Sequence, residues 1–287
     1  MSSAVARSMS ATVDIAPPAA SGALGGDRAA AASAATDSSR SAAVLDLRRR
    51  LSAHVPASKA PPPLTTALPS LDAALQGGLP RGKLVELVGG AGKQSFTLLT
   101  LAAATQRGEL CAFIDVEDGL DVQTAARVGV TLEQVLWIRP RSEKSEPAAE
   151  SADAPAPSRP SSPEERVSDG LKALDLVLSA GGFGLVVMSL GSLGHQSKGA
   201  ARLCGGSATW SRLLQRAEKA GTALLLLSDE AVTGSAAVAT LRCAPGEAIW
   251  QRVPGGRWLL QGQRTAIEVT RSRLAAPGDS IDLRLQR

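Results

Sequence analysis

The chain has 287 residues, long enough for one well-cored domain plus extra segments, and 44% of them are hydrophobic. Only 2% are aromatic and tyrosine is absent, so a core must be assembled from alanine, leucine and valine rather than from large rings. The formal net charge of +4 permits a polyanionic partner without requiring one, and no run of about 18 apolar residues exists to form a transmembrane helix.

Residues 1–40 are rich in Ala, Ser and Gly and carry few large apolar side chains to offset the entropy of ordering, so they are predicted to be disordered. Arg7 is not followed by an apolar signal core, which points to a cytoplasmic protein. In "SAAVLDLRRRLSAHV", Val44, Leu45, Leu47 and Leu51 fall near one helical face, with Arg48, Arg49 and Arg50 mostly opposite. Residues 41–63 therefore read as a short amphipathic helix and a linker containing "PASKAPPP", ahead of a core domain over 64–287.

Within that domain "KLVELVG" reads as an apolar strand, "QSFTLLTLAAATQR" as a helix and "ELCAFIDVE" as a second strand. Residues 141–165 are rich in Pro, Ser and charge, and are predicted to be a disordered inserted loop. "SDGLKALDLVLSAG" then reads as a helix and "FGLVVMSL" as a strand, and "WSRLLQRAEKAG" with "TALLLLSD" repeats the unit. Strands that are continuously apolar, each fed by a helix, indicate a parallel sheet covered on both faces. From Val238 onward the pattern changes to short strands with "PG" and "PGG" turns, in "AIWQRVPGGRWLLQG", "TAIEVTRSRL" and "SIDLRLQR". These predict antiparallel strands along one edge of an α/β sheet.

The chemistry-bearing residues are few. Cys111, Cys204 and Cys243 lack metal-ligand spacing and read as buried thiols of a reducing compartment. His54 and His195 give no histidine-based catalytic constellation, and Ser189 is not in a nucleophile elbow. The informative stretch is "VELVGGAGKQSFTLLT", Val85 to Thr100. A phosphate-binding loop of pattern G-x-x-x-x-G-K-[ST] needs enough backbone between its glycines to wrap a phosphate, a lysine for the outer phosphates and a hydroxyl for Mg²⁺. Here only Gly90 and Ala91 separate Gly89 from Gly92, two residues short, and Gln94 follows Lys93 where the hydroxyl belongs. Ser95 supplies a hydroxyl only by a shift of register. The stretch is read as a strand-to-helix turn that no longer holds nucleotide.

Several strings in order, "LTTALPSLDAALQGGLPRGKLVELVG", "LAAATQRGELCAFIDVEDGLD", "ARVGV" and "TAIEVTRSRLAAPGDSIDLRL", resemble the core of the RecA recombinase family. The resemblance runs from Leu64 to Arg287 with 142–163 as an insertion, and it stops where the family's small C-terminal domain would begin. It implies a RecA-like core, with a mostly parallel sheet flanked by helices and antiparallel strands at the C-terminal edge. Carried over residue by residue, it puts Met188 where the family has a magnesium-holding acid, and Thr124 where an aromatic stacks on adenine. Asp229 falls where the terminal phosphate is sensed. Glu117 matches the water-activating glutamate and Asp121 an adenine contact. A thioether cannot hold a magnesium water shell. The implied site is vestigial: Gly89, Gly90, Gly92, Lys93, Ser95, Glu117 and Asp121, with no catalytic residue, no metal, no cofactor and no ATPase activity.

A RecA-like core without ATP chemistry, with an N-terminal helix, resembles the ImuA family of accessory proteins of damage-inducible (SOS) translesion mutagenesis. That implies a non-catalytic regulator whose partners are RecA and an ImuB-type polymerase-like protein. Two alternatives are a RecA-like ATPase with an atypical loop and a SulA-like cell-division inhibitor. In the recombinases that the core resembles, an N-terminal helix docks on a neighbouring subunit, a role open to Val44, Leu45, Leu47 and Leu51 unless the helix folds onto its own domain. Arg271 and Arg273 fall on a basic pair that reaches a neighbour's ATP phosphates, or are solvated strand arginines.

Between Leu241 and Arg287 there are eight arginines and four acids, with Trp250 and Trp258 among them. Arg242, Arg252, Arg257 and Arg264, with Lys198 and Arg202 of "GHQSKGAARLCGG", are candidates for weak, salt-sensitive DNA binding. The competing reading is a sheet edge protected by charge, with both tryptophans in the core.

Overall fold

The computed structural model describes residues 9–13, 62–90, 92–140, 162–191, 206–274 and 280–286, with the strands at 9–13 and 280–286 as backbone. Val44, Leu45, Leu47, Leu51, Lys198, Arg202 and most of the 141–165 insertion lie outside these residues, as does Ala91 of the glycine-rich turn. Residues 9–13, inside the segment expected to be disordered, form a strand.

The apolar runs form the middle of a ten-stranded sheet. In chain order its strands are β1 (Met9–Val13), β2 (Leu84–Gly89), β3 (Cys111–Asp115), β4 (Val135–Ile138) and β5 (Leu185–Ser189). They continue with β6 (Ala223–Leu227), β7 (Ala239–Cys243), β8 (Glu247–Arg252), β9 (Trp258–Ser272) and β10 (Ser280–Gln286). Six of them run parallel in the order β4-β3-β5-β6-β2-β7. β9 pairs antiparallel with β7, β8 and β10, and β1 closes the far side in parallel with β10.

Two expectations are corrected here. The region from Val238 does not turn antiparallel at once: β7 is a sixth parallel strand against β2, and the reversal begins with β9. The two strands expected at 258–262 and 265–274 are one 15-residue strand, because β9 runs past β7 and continues into a hairpin with β8.

The helices are α1 (Pro69–Ala74), α2 (Lys93–Gln106), α3 (Val122–Arg127), α4 (Pro163–Ala180) and α5 (Ser207–Ala220). Successive side chains of a strand point to opposite faces. Val85 and Leu87 of β2, Leu185 and Val187 of β5, and Leu225 and Leu227 of β6 accordingly join Phe96, Leu98 and Leu101 of α2 in one core. Their neighbours Leu84, Val186, Met188, Leu224 and Leu226 join Leu174 and Val177 of α4 and Trp210 and Leu213 of α5 in another. A strand in such a sandwich has no wet face, which is why these runs show no polar alternation. α4 begins at Pro163, earlier than its apolar run, because Ser162 and Glu165 close a capping box. The Ser162 Oγ accepts from the Glu165 N–H at 3.2 Å, and the Glu165 carboxylate accepts from the Ser162 N–H at 3.0 Å.

One polar side chain interrupts the central strand. Glu86 of β2 is fully buried, and its carboxylate accepts from the Val232 N–H at 2.7 Å, the Thr233 N–H at 3.1 Å and the Thr233 hydroxyl at 2.9 Å. It pins the β6–β7 connection across the end of the sheet. Glu86→Leu leaves three buried donors unmatched and is expected to cost about 3 kcal/mol, whereas Glu86→Gln, which keeps an acceptor, costs less. Denaturant midpoints of the two variants against the unaltered chain check this.

Candidate functional site

In an open α/β sheet the ligand crevice lies beyond the carboxyl ends of the strands, where the strand order reverses. In this chain β2 is that strand: the connection leaving it passes β6 and β5 to reach β3, while β6 returns past β2 to reach β7. The glycine-rich turn sits on its end. Gly89 and Gly92 have φ of +99° and +101°, in the region that favours glycine. Packing demands glycine as well. A Cβ on Gly89 would come within 2.4 Å of the Cys243 carbonyl oxygen, and one on Gly92 within 2.6 Å of the Thr265 methyl. Gly90, by contrast, faces open space. The first and last glycines are therefore explained by the close approach of β7 and β9 to the turn, without any phosphate.

Lys93 opens α2 directly after Gly92. Its Nζ donates to the Ser228 carbonyl at 2.8 Å and pairs with the Asp229 carboxylate, both on the segment leaving β6. The Gly89 N–H donates to the Asp229 carbonyl at 3.1 Å, so the same residue closes on both the strand end and the helix start. The lysine side chain is 16% exposed. The Lys93 ammonium and the Gly89 N–H, two donors a phosphate would use, are thus engaged within the chain. An anion at Lys93 has to displace Asp229 or lie beside it. Two unit negative charges about 4 Å apart repel by about 4 kcal/mol at the effective dielectric of a protein surface, close to a thousandfold in affinity.

The other predicted site residues have local duties. Gln94, in the place of the magnesium-binding hydroxyl, donates to the Gly119 carbonyl at 2.6 Å, and Ser95 remains in the first turn of α2. Met188 is buried against Gly170 of α4, whose close approach a side chain would obstruct, so the end of β5 offers a thioether inside the core. Asp121 is the N-cap of α3, accepting from the Thr124 N–H at 3.0 Å and the Thr124 hydroxyl at 2.6 Å. Those bonds hold its carboxyl below the ordinary value, and they use the residue that stands in the adenine-stacking position. Glu117 leans against Gly191 at the exit of β5. A magnesium nucleotide does not fit this set of residues: the turn is short, its lysine is paired, and the metal-holding carboxylate is missing.

Sequence reasoning missed Asp115. Buried at the end of β3, it accepts from the Gly119 and Leu120 N–H groups at 3.0 and 2.9 Å and from Trp137 Nε1 at 3.2 Å, shaping the loop that carries Glu117 and Asp121. An acid ending the apolar run "FID" was the available signal.

At the opposite edge Arg271 Nη2 donates to the Ala237 carbonyl at 3.4 Å and the Thr240 hydroxyl at 3.3 Å, and Arg273 Nη2 donates to the Ser235 carbonyl. Arg242, Arg252, Arg257 and Arg264 are exposed. Trp250 and Trp258 are 55% and 64% exposed, which removes the reading that placed them in the core. Cys111 and Cys243 are buried free thiols, pushed up to about 12 and about 11, chiefly by desolvation. Among the described residues no helix is long and apolar enough to cross a membrane.

The closed lysine leads to two expectations for calorimetric titration with MgATP. The unaltered chain shows no saturable micromolar binding. Asp229→Asn, which removes the competing charge and frees Lys93, gains at least about tenfold in affinity for the nucleotide.

The sequence profile of the RecA N-terminal domain matches residues 60–159. Among solved structures the chain is similar to one described as the RadB recombinase, with a TM-score of 0.50 and 20% identity over 77% of this chain and 95% of that one. The chain has the RecA-like fold, a mostly parallel sheet flanked by helices with antiparallel strands along its C-terminal edge.

Proposed function

We propose that this protein is a non-catalytic RecA-like regulator of the DNA-damage response. In this reading it supports translesion mutagenesis, as the resemblance to the ImuA family implies, by binding RecA, an ImuB-type polymerase-like protein, or both. The observation that carries the proposal is the internal pairing of Lys93 with Asp229 and Ser228 over a turn two residues short. A subunit built this way retains the shape of a recombinase core while its own nucleotide face is filled by its own side chains.

The opposite edge supports a donor role. Arg271 and Arg273 are exposed at the end of β9, and the bonds to the 235–240 segment each use Nη2, one of the three donor nitrogens of a guanidinium. Anchored at one nitrogen, such a group is oriented with little further entropy to lose when it meets an anion on a neighbour. With one competent face and one closed face, the protein would add to the end of a RecA filament and stop growth there.

Mixing the purified protein with RecA and single-stranded DNA should therefore shorten filaments and lower strand exchange at equimolar protein; undiminished length and exchange exclude the capping role. Arg271→Ala combined with Arg273→Ala should weaken RecA binding about tenfold or more, and unchanged affinity removes these arginines from the contact. Pull-downs against RecA, the ImuB-type protein and the division protein FtsZ separate this reading from the cell-division inhibitor. Turnover of MgATP by the unaltered chain would favour the atypical ATPase.

A further inference from the structure

The β8–β9 hairpin projects beyond the end of β2, since β2 pairs with β7 only as far as Cys243 and β8 begins at Glu247. Among the described residues six large hydrophobic side chains are exposed, and four of them are here: Trp250 at 55%, Trp258 at 64%, Leu259 at 50% and Leu260 at 41%. Directly opposed residues of an antiparallel pair share a face. Trp250 opposes Leu260 and Arg252 opposes Trp258, so one face of the hairpin displays two tryptophans, a leucine and an arginine. An apolar cluster of this kind on a projecting element marks an interaction surface, and Trp with Arg is the composition in which binding energy concentrates.

Charge decides what kind of partner fits. The strand register interleaves the cations of the adjoining sheet face with acids: Arg242 opposes Glu268 and Arg264 opposes Glu247. Among the described side chains these charges are balanced, two against two. From Ala248 to Gln263 the hairpin carries Arg252 and Arg257 and no acid. Two uncompensated cations are too few to track a nucleic-acid backbone, whose affinity grows with the number of phosphates neutralised. They suffice to select an acidic protein segment. Two exposed leucines add apolar surface that neither phosphates nor stacked bases require.

The backbone adds a third element. Among the described residues β8 pairs with β9 alone, so its outer edge presents N–H and C=O groups to an incoming strand. We infer that the β8–β9 hairpin is a docking site for an extended acidic segment of a partner protein, which adds to the free edge of β8. Its apolar side chains lie on Trp250, Trp258 and Leu260, and its carboxylates meet Arg252 and Arg257. Strand addition supplies affinity through main-chain bonds and specificity through alternate side chains.

Selection of a random displayed-peptide library on the full chain tests this directly. The expected winners are acidic peptides with aromatic or aliphatic residues at alternate positions. Measured by fluorescence anisotropy, the best synthetic peptide should lose at least about tenfold in affinity with Trp250→Ala plus Trp258→Ala. It should lose as much with Arg252→Glu plus Arg257→Glu, a pair of exposed changes that serves if the tryptophan variant does not fold. The inference is overturned if no acidic consensus emerges, or if the selected peptide binds both variants as tightly as the unaltered chain. It is overturned as well if oligothymidylate displaces the peptide and binds the hairpin more tightly, which would make the surface a nucleic-acid site.

Discussion

The ion pair between Lys93 and Asp229 joins the start of α2 to the end of β6 at the place where the strand order reverses, and much of the molecule is arranged around it. Asp229 accepts from Lys93 through its carboxylate and from Gly89 through its carbonyl, so one residue closes the turn from two directions. The pair is partly exposed and contributes little to stability by itself. Its effect is on occupancy. A lysine that already has a carboxylate and a carbonyl for partners has little to gain from phosphate, and the carboxylate repels any anion that approaches.

Holding Asp229 in that position requires the rest of the β6–β7 connection to stay in place, and Glu86 does this from the middle of the sheet. The same strand thus carries the turn at its end and the anchor of the segment that closes the turn. On the other side Cys243 and Thr265 press against Gly89 and Gly92, so a side chain at either position would have to move β7 or β9. Glycines that signal phosphate binding when read in sequence are, in the folded chain, consequences of three strands meeting a helix start in a confined space.

The order of elements was legible because it rests on local periodicity. Strands β5 and β6 are buried on both faces and read as near-continuous apolar runs, and β2 does so apart from Glu86. β4 escaped notice because its four residues are only half-buried at an edge, where burial imposes no pattern strong enough to read. The start of α4 was masked by a proline- and serine-rich context, although Ser162 and Glu165 carry the capping signature at the right spacing. β7 was assigned to the wrong direction since five residues that mix Thr240 and Arg242 with apolar side chains do not state which neighbour they pair with.

By itself the sequence determined the α/β class, the shortened turn, the glutamine after Lys93 and the methionine in β5, because each depends on residue identity and spacing along the chain. Tertiary structure alone decided that Asp229 meets Lys93 across 136 positions, that Glu86 finds three donors and Asp115 an indole, and that Trp250 and Trp258 stay in solvent. The physical reason is common to all of these: a polar or aromatic side chain takes its role from what is packed beside it, and in a parallel sheet those neighbours come from strands far apart in the chain.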